Sequence, residues 1–239
     1  MLNSGKMLAT ATKLPMTKLA ASRSAKLLYW ISRAISICTN GRAIFQVYLL
    51  CAQPIKKNNL LPHPSNKTEV KKINASNPLS SQFPRNDLVN NGRFSRGHVC
   101  FAATVKESFA GHIWLAFKYY DEDEVHCKFT LPDNAQGVWD YDVYVAPNFR
   151  LTRVAKTLWD TVNKHLLENN ISWTFSRISI FNPASIQSHE RLGAVHIGTC
   201  SFLRWGSLQI ALLPGRKLPY ITLSKTQTPS IELKIPIKT

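Results

Sequence analysis

The stretch VYVAPNFRLTRVAKTLWDTV, residues 143–162, decides the fold that the rest of this chain is built around. Its first three residues end an alternating strand, and Pro147 opens a turn. After Arg150, apolar residues recur at the three- and four-residue spacing of an amphipathic helix. The first turn of that helix would carry Arg150 and Arg153. Free backbone N–H groups, a positive helix end and cationic side chains together suit a phosphate group.

The stretch SRISIFNPASIQSHERLGAVHIG, residues 176–198, gives a second strand and a second helix. The strand is predicted over residues 173–181. Asn182 is a good N-cap, Pro183 fits the first helical position, and Gly193 is a typical stop signal. A short helix is therefore predicted between Asn182 and Gly193.

These two stretches resemble the core of the GCN5-related N-acetyltransferase (GNAT) superfamily, with its R/Q-x-x-G-x-G/A turn and its N-x-x-A/S-x-x-x-Y-x-x-x-G helix. The likeness extends over roughly residues 45–213. Arg153 stands where the family usually has glycine, and Ala155 keeps the small-residue position. His189 stands where many members have tyrosine. The resemblance implies a mixed α+β fold, with a central, mostly antiparallel, twisted sheet flanked by helices.

The resemblance also implies an acyl-CoA-dependent N-acyltransferase, in the simplest case an N-acetyltransferase. The acceptor amine would attack the thioester directly in a ternary complex, with acetyl-CoA or another acyl-CoA as donor and no metal. Backbone N–H groups at the helix start would hold the diphosphate, and the preceding strand would pair with the pantetheine amides. The implied cofactor-binding residues are Val143, Tyr144, Val145, Arg150, Leu151, Thr152, Arg153, Val154, Ala155, Lys156, Asn182 and Ser185.

The strand predicted over residues 138–146 carries two carboxylates. Strict alternation places Asp140, Asp142 and Tyr144 on one face and Tyr141 on the other. A buried carboxylate needs a partner or a task, because an unpaired buried charge is costly. Asp140 and Asp142 are therefore the best acid–base candidates.

Acyl transfer to an amine needs a base for the amine proton and an acid near the leaving sulfur. Asp142, or Asp140 in its place, is the predicted base, acting directly or through water. His189 occupies the position of the family's tyrosine acid and titrates in a useful range, but it fits a packing or capping role equally well. Asn182 could bridge acceptor or cofactor, although its N-cap role alone would explain it.

The formal net charge of +16 is unevenly distributed. Residues 1–68 carry ten Lys or Arg and no acidic residue, and the remainder carries 20 basic and 14 acidic residues. A basic arm is typical of a solvated tail that also contacts anionic surfaces. An amphipathic helix is predicted over residues 18–37, which could lie on the domain or on a lipid surface. Specific nucleic-acid binding is not expected.

Cellular location is indicated by two features. The five cysteines are scattered and never in CxxC spacing, which is typical of a reducing compartment and argues against structural zinc. No apolar run reaches the roughly 18 residues of a membrane-spanning helix. Residues 1–38 superficially resemble an organellar transit peptide, but we expect a cytoplasmic protein.

Three segments are predicted along the chain: a basic extension over residues 1–41, the acyltransferase domain over 42–214, and a loosely held tail over 215–239. Within the domain we expect a first strand over 42–53 and a helical patch over 68–74. Further predictions are a hairpin of residues 98–105 and 109–119, a solvated acidic turn at 121–124, a strand within 125–131, and last strands at 196–203 and 208–213. Gly111 suggests a bulge or a close backbone approach.

Other classes of enzyme lack their motifs. No GxSxG or HExxH pattern occurs, and nucleotide-binding glycine patterns are also absent. Two alternatives remain: a non-catalytic acyl-CoA-binding or regulatory module, and a basic binder of nucleic acid or membrane surfaces. The length of the acyl chain and the choice between CoA and an acyl carrier protein stay open.

Overall fold

A computed structural model describes residues 15–63, 67–122, 124–132, 136–224 and 226–236. The first fourteen residues of the predicted extension and Asp123 of the acidic turn lie outside this description. The chain divides into two compact units. Unit 1 takes the described residues of Met1–Pro54, Tyr119–Asp133 and Phe175–Thr239, and unit 2 takes those of Ile55–Lys118 and Asn134–Thr174.

Helices and strands alternate irregularly along the described residues. The helices are α1 (Met16–Ala21), α2 (Arg23–Cys38), α3 (Asp87–Ser95), α4 (Val154–Glu168) and α5 (Pro183–Arg191), with 3-10 turns at Pro78–Gln82 and Pro147–Phe149. The strands are β1 (Ala43–Pro54), β2 (Thr68–Ile73), β3 (Val99–Val105), β4 (Ser108–Ala116), β5 (Tyr119–Asp121), β6 (Lys128–Thr130), β7 (Gly137–Val145), β8 (Trp173–Ser179), β9 (Val195–Trp205), β10 (Leu208–Leu212), β11 (Tyr220–Thr222) and β12 (Ser230–Glu232).

Unit 2 is built on an antiparallel sheet in the order β7-β4-β3-β2. Helix α4 packs on one face, where Leu158 approaches Gly111 and His165 contacts Phe101. The other face carries an aromatic cluster in which Phe83 and Phe94 contact Trp114. Both faces of the sheet are therefore covered.

Unit 1 is built on a sheet in the order β11-β10-β9-β1-β8, and its β1–β9, β9–β10 and β10–β11 pairs are antiparallel. Helices α1, α2 and α5 pack on β1 and β8 through a core that includes Met16, Val47 and Ile186. A second, small sheet has the order β12-β6-β5, and its β12–β6 pair is parallel. The mixed α+β class with mostly antiparallel strands is thus confirmed.

Three local predictions were wrong. Residues 68–73 form strand β2 instead of a helical patch, because they pair with β3 along its whole length. The tail predicted to be loosely held contains β11 and β12, with Ile231 and Leu233 buried. The acidic turn is not merely solvated, since the Arg177 guanidinium binds both carboxylate oxygens of Glu122 at 2.5 Å.

The predicted N-terminal helix is present but interrupted. Ser22 has extended backbone angles and separates α1 from α2. Its hydroxyl accepts a hydrogen bond from the Ala25 amide at 3.1 Å, so it caps the longer helix. No described helix is both long and apolar enough to cross a membrane.

The predicted domain boundaries do not coincide with the limits of the two units. Unit 1 contains the described part of the predicted extension, both sides of the predicted boundary at 214, and the C-terminal strands. The chain therefore enters and leaves unit 1 more than once. The predicted division into three consecutive segments does not represent such a unit, because it is built from separate parts of the chain.

Candidate functional site

Strand β7 contains a β-bulge at its centre. Tyr141 pairs with Trp114 and Tyr144 pairs with His112, so three steps along β7 face two steps along β4. Asp142 lies inside this irregularity with a φ of 48°, in the left-handed region that few non-glycine residues adopt. The extra residue of the bulge shifts the alternation, so the side chains that follow it point to the opposite face from the one that strict alternation predicts.

The bulge corrects the predicted faces of the strand. Trp114 and His112 share one face of β4, so their partners Tyr141 and Tyr144 also share it. Ring contacts support this arrangement, with centroids 6.3 Å apart for Trp114–Tyr141 and 5.6 Å for His112–Tyr144. The prediction that Tyr141 and Tyr144 lie on opposite faces was wrong, because the extra residue shifts the alternation by one.

The two carboxylates are separated by the same bulge. Asp140 is buried opposite Leu115, on the other face of the sheet from Trp114 and His112. Asp142 turns towards the aromatic face, where its Oδ2 is 2.5 Å from Arg93 Nη1 and 3.8 Å from His112 Nε2. The prediction that both carboxylates share one face was therefore wrong.

The environment of Asp142 favours its ionised form. Burial alone would raise the pKa of this carboxyl, but the proximity of His112 and the hydrogen bond and charge of Arg93 outweigh burial. The pKa of Asp142 consequently lies well below its ordinary value. Its carboxylate is held in place and is a weak proton acceptor.

Sequence analysis missed two members of this cluster. Arg93 lies on α3 with its side chain 2% exposed and its guanidinium over the rings of Trp114 and Tyr141. His112 is buried within an otherwise apolar strand. A histidine among apolar residues in the sequence can indicate a buried functional residue. Arg93 gives no such signal, because it lies in a polar region of the sequence that precedes β3.

The segment between β7 and α4 forms two successive turns. The Phe149 amide donates to Ala146 O at 2.8 Å, and the Thr152 amide donates to Phe149 O at 3.0 Å. Helix α4 therefore begins at Val154, later than predicted, and Leu151 is fully exposed instead of lying on the buried stripe.

The start of α4 exposes unused donors. Among the residues that the structure describes, none accepts a hydrogen bond from the backbone N–H groups of Leu151, Arg153, Ala155 and Lys156. The Val154 amide, by contrast, donates to Thr152 Oγ1 at 3.3 Å. Free N–H groups at a helix start form a partial positive charge that can bind an anion.

Cationic side chains lie beside these donors. Arg150 and Arg153 are exposed, and Arg150 Nε donates to the Val145 carbonyl at 3.3 Å. Val143 is also exposed, and Tyr144 and Val145 pair with β4. The predicted cofactor-binding residues between 143 and 156 thus all lie in unit 2, where the end of a strand, a turn and the start of a helix follow one another.

The remaining predicted site residues belong to unit 1. Asn182 caps α5, since its Oδ1 accepts from the Ser185 amide at 3.1 Å, and this predicted cap is confirmed. His189 is buried on α5 with Nδ1 3.1 Å from Gln53 Oε1. Burial lowers the pKa of His189 to about 4, so the ring is neutral at pH 7. The geometry favours packing over proton donation by an imidazolium.

Metal ligands do not cluster in the part of the chain that the structure describes. No group of three or more His, Cys, Asp or Glu side chains there is arranged to hold a metal ion. The candidate site itself offers backbone N–H groups, arginines and the Arg93–Asp142–His112 cluster.

Comparison with known proteins gives structural likeness only. No protein-family model and no curated protein matches this chain. A conserved protein of unknown function from Staphylococcus epidermidis aligns over 71% of this chain and 64% of its own, at 10% identity and a TM-score of 0.46. A tandem GNAT protein from the clavulanic acid biosynthesis pathway aligns over 71% of this chain and 57% of its own, at 10% identity and a TM-score of 0.48.

A further similar structure is the aminoglycoside N-acetyltransferase AAC(6')-Iy in complex with CoA. It aligns over 56% of this chain and 91% of its own, at 19% identity and a TM-score of 0.39. This chain thus spans less than two thirds of the length of the first two proteins. The similar solved structures include GNAT acetyltransferases at low sequence identity.

Proposed function

We propose that this protein is an acyl-CoA-dependent N-acyltransferase that binds the diphosphate of its donor at the start of α4. The observation that carries the proposal is the set of N–H groups at Leu151, Arg153, Ala155 and Lys156, which have no acceptor within the described part of the chain and lie beside the exposed Arg150. A diphosphate accepts several hydrogen bonds at once and is favoured by the positive end of a helix. Arg150 and Ala155 match the cofactor turn of the family that the sequence resembles, and Arg153 departs from it.

Arg153 changes the character of this turn. A glycine there would leave only backbone N–H groups, whereas the arginine adds a guanidinium that can form a charge-assisted hydrogen bond to phosphate. Because Arg153 is exposed and lies at the N-cap of α4, its side chain is free to reorient towards a ligand. The proposal therefore assigns the diphosphate to both arginines and to the four N–H groups.

The chemistry follows from the thioester. The nitrogen of the acceptor amine attacks the carbonyl carbon, the C–S bond breaks, and the thiolate leaves while the amine proton passes to a base. A backbone N–H of residues 143–145 would stabilise the charge that develops on the carbonyl oxygen. In this proposal Asp142 receives the proton directly or through water, and its ion pair with Arg93 orients it at the expense of basicity.

Calorimetric titration of acetyl-CoA and of longer acyl-CoAs tests donor binding. Replacing Arg150 with Glu should raise the dissociation constant by about tenfold or more, because a charge-assisted contact is lost and a repulsion is gained. Lys164→Glu is the matched control: it makes the same charge change at an exposed position about 15 Å beyond Val154, the first residue of α4. Absence of binding, or equal weakening by both variants, contradicts the proposed diphosphate site.

A non-catalytic acyl-CoA-binding module is the second candidate, and a specific observation favours it. Each predicted acid–base residue is compromised: Asp142 is ion-paired with a lowered pKa, Asp140 is buried opposite Leu115, and His189 is buried and neutral. Such a module would bind the donor through the start of α4 without transferring the acyl group.

Release of free thiol over a panel of amines separates the two candidates. An N-acyltransferase should release CoA only when an acceptor amine is present, and Asp142→Asn should slow that release by about a hundredfold or more. Donor binding without thiol release on any amine supports the non-catalytic module. Retention of full turnover in Asp142→Asn removes Asp142 as the base.

A further inference from the structure

Helix α2 presents an apolar face to the outside of unit 1. Leu27 is 61% exposed, Trp30 68% and Ile37 66%, and Ile31 is also exposed. These residues recur at helical spacing on the side opposite Ala25, which is buried. The usual polarity of a surface helix is thus inverted, because its most apolar stripe faces outwards.

The inward face explains why the helix keeps this orientation. Ala25 and Leu28 pack on the core of unit 1, and Ser32 Oγ donates to the Phe45 carbonyl at 2.9 Å. Tyr29 contacts Phe181 edge to face, with centroids 5.7 Å apart. Ala25, Leu28 and Ser32 are therefore used inside, and Leu27, Trp30, Ile31 and Ile37 are left outside.

Trp30 of the exposed stripe also borders a groove at the side of the helix, and Lys26 lines the same groove. The groove, of about 180 Å³, is lined by Ala25, Tyr29, Phe181 and Pro183 among others. Isolated exposed apolar residues are ordinary, but a contiguous patch of aromatic and aliphatic side chains is typical of a docking surface.

Basic side chains dominate around this patch, although one acidic side chain, Glu190 of α5, contacts α1, where its Oε1 accepts from the Thr17 N–H at 2.9 Å. Arg23, Lys26 and Arg33 lie on α2, Lys18 lies on α1, and Arg42 precedes β1. All of residues 1–68 contain no acidic side chain. The face is therefore an apolar stripe bordered by cations.

Two occupants fit this combination poorly. A second copy of the chain would bring the same cations of both copies together around the shared axis, where α1 and α2 themselves carry no acidic residue to offset them. A nucleic acid would pair with the cations, but its phosphates would leave the aliphatic side chains Leu27, Ile31 and Ile37 without an apolar partner.

An anionic membrane surface fits both the apolar stripe and the cations that border it. Leu, Ile and Trp side chains of an interfacial helix enter the boundary between headgroups and acyl chains, while lysine and arginine contact anionic lipid headgroups. Tryptophan is favoured at this depth. We propose that the outward face of α2, formed by Leu27, Trp30, Ile31 and Ile37 with its flanking cations, docks the protein peripherally on membranes rich in anionic lipid.

Co-sedimentation of the full-length protein with vesicles tests this proposal. Vesicles of phosphatidylcholine with phosphatidylglycerol should bind the protein, and vesicles of phosphatidylcholine alone should bind it much more weakly. Leu27→Glu should lower the partition coefficient by about tenfold or more, because an aliphatic side chain that would insert into the lipid is replaced by a charge that the anionic lipid repels. Leu88→Glu, on α3, is the matched control, since Leu88 is 83% exposed and lies in unit 2.

Further readouts distinguish the other occupants. The double variant Lys26→Gln/Arg33→Gln should bind anionic vesicles less well and show a weaker dependence on salt. The proposal fails if the wild type ignores anionic vesicles or if Leu27→Glu binds them as the wild type does. It also fails if the wild type does not bind vesicles but forms a concentration-dependent dimer that Leu27→Glu abolishes. The same holds if the wild type binds an oligonucleotide instead of vesicles and Leu27→Glu abolishes that binding. Acyl-CoA binding should be the same in Leu27→Glu and wild type, so this test is independent of the proposed function.

Discussion

His189 lies on α5 at a position where burial decides its protonation. Its pKa of about 4 in the folded chain is below the ordinary value of 6.5, so between these pH values the unfolded chain binds a proton that the folded chain does not. The stability contribution of neutral His189 is therefore present above pH 6.5 and is lost as the pH falls towards 4. From pH 7 to pH 5 this loss is about 2 kcal/mol.

The variant His189→Gln isolates this effect. Glutamine can hydrogen-bond to Gln53 and does not titrate, so the free energy of unfolding should fall by about 2 kcal/mol less between pH 7 and pH 5 than in the wild type. Urea unfolding at the two pH values measures the difference. Equal acid sensitivity of the two proteins would show that His189 is accessible to protons in the folded state.

Strands β4 and β7 are an element pair whose geometry depends on one glycine. A Cβ atom at Gly111 would lie 2.4 Å from the Tyr144 carbonyl oxygen and 3.3 Å from Leu158 Cδ1. Because that oxygen belongs to the backbone of the partner strand, it cannot retreat without disturbing the pairing next to the bulge. We expect Gly111→Ala to lower the free energy of unfolding by about 2 kcal/mol or more.

Gly92 is the matched control for this substitution. It lies within α3, and an added Cβ would meet Arg96 Nη1 at an ordinary contact distance of 3.8 Å. Gly92→Ala should leave the free energy of unfolding unchanged or raise it by up to about 1 kcal/mol, because alanine favours the helix. Thermal and urea unfolding of both variants give the comparison, and a harmless Gly111→Ala would rule out the close approach of β4 and β7.

Strand β12 lies in the segment that the sequence predicted to be a loosely held tail. Ile231 is buried and pairs with Phe129 of β6, and the Leu233 amide donates to Thr130 O at 2.9 Å. Ile231→Ala should cost about 2 kcal/mol or more, because it removes buried apolar atoms and leaves a cavity. Ile221→Ala, in β11, should cost little, since Ile221 is 62% exposed.

Chemical denaturation of these two isoleucine variants decides between a docked and a loose C-terminus. A clear loss of stability in Ile231→Ala alone supports the docked strand. If both variants unfold like the wild type, the tail contributes nothing to stability, as the sequence alone suggested.

At the scale of the whole molecule, the five cysteines report on global unfolding. Cys38 is exposed at the end of α2, whereas Cys51, Cys100, Cys127 and Cys200 are buried. Burial raises the pKa values of Cys100, Cys127 and Cys200, which suppresses their reactive thiolates further. We expect one thiol to react rapidly with Ellman's reagent in the folded protein and the other four only after unfolding.

The variant Cys38→Ser provides the control for the thiol experiment. It should show no rapidly reacting thiol under native conditions and four after denaturation. Rapid reaction of a second thiol in the native protein would mean that part of a unit opens locally, well below the free energy of global unfolding.

Much of the local structure could be predicted because its signals are contained in a few neighbouring residues. Asn182, Pro183 and Gly193 bound α5 as predicted, since capping and stop preferences depend on the backbone within one turn. Runs of β-branched and aromatic residues likewise located β1, β3, β4 and β8 to within a few residues, and the alternation of polar and apolar residues located β7. The candidate phosphate-binding segment was identified in the same way, from a strand followed by arginines and a helix.

The sequence by itself determined most element positions and the cationic helix start, because these follow from short-range periodicity and composition, while the α+β class was implied by the resemblance to a known superfamily. Only the tertiary structure decided that a bulge at Asp142 sends two carboxylates to opposite faces, that Arg93 holds one of them, and that β12 docks on β6. Each of these results depends on contacts between residues far apart in the chain. Local preferences do not encode such pairings, because the partner is selected by the packing of the folded units.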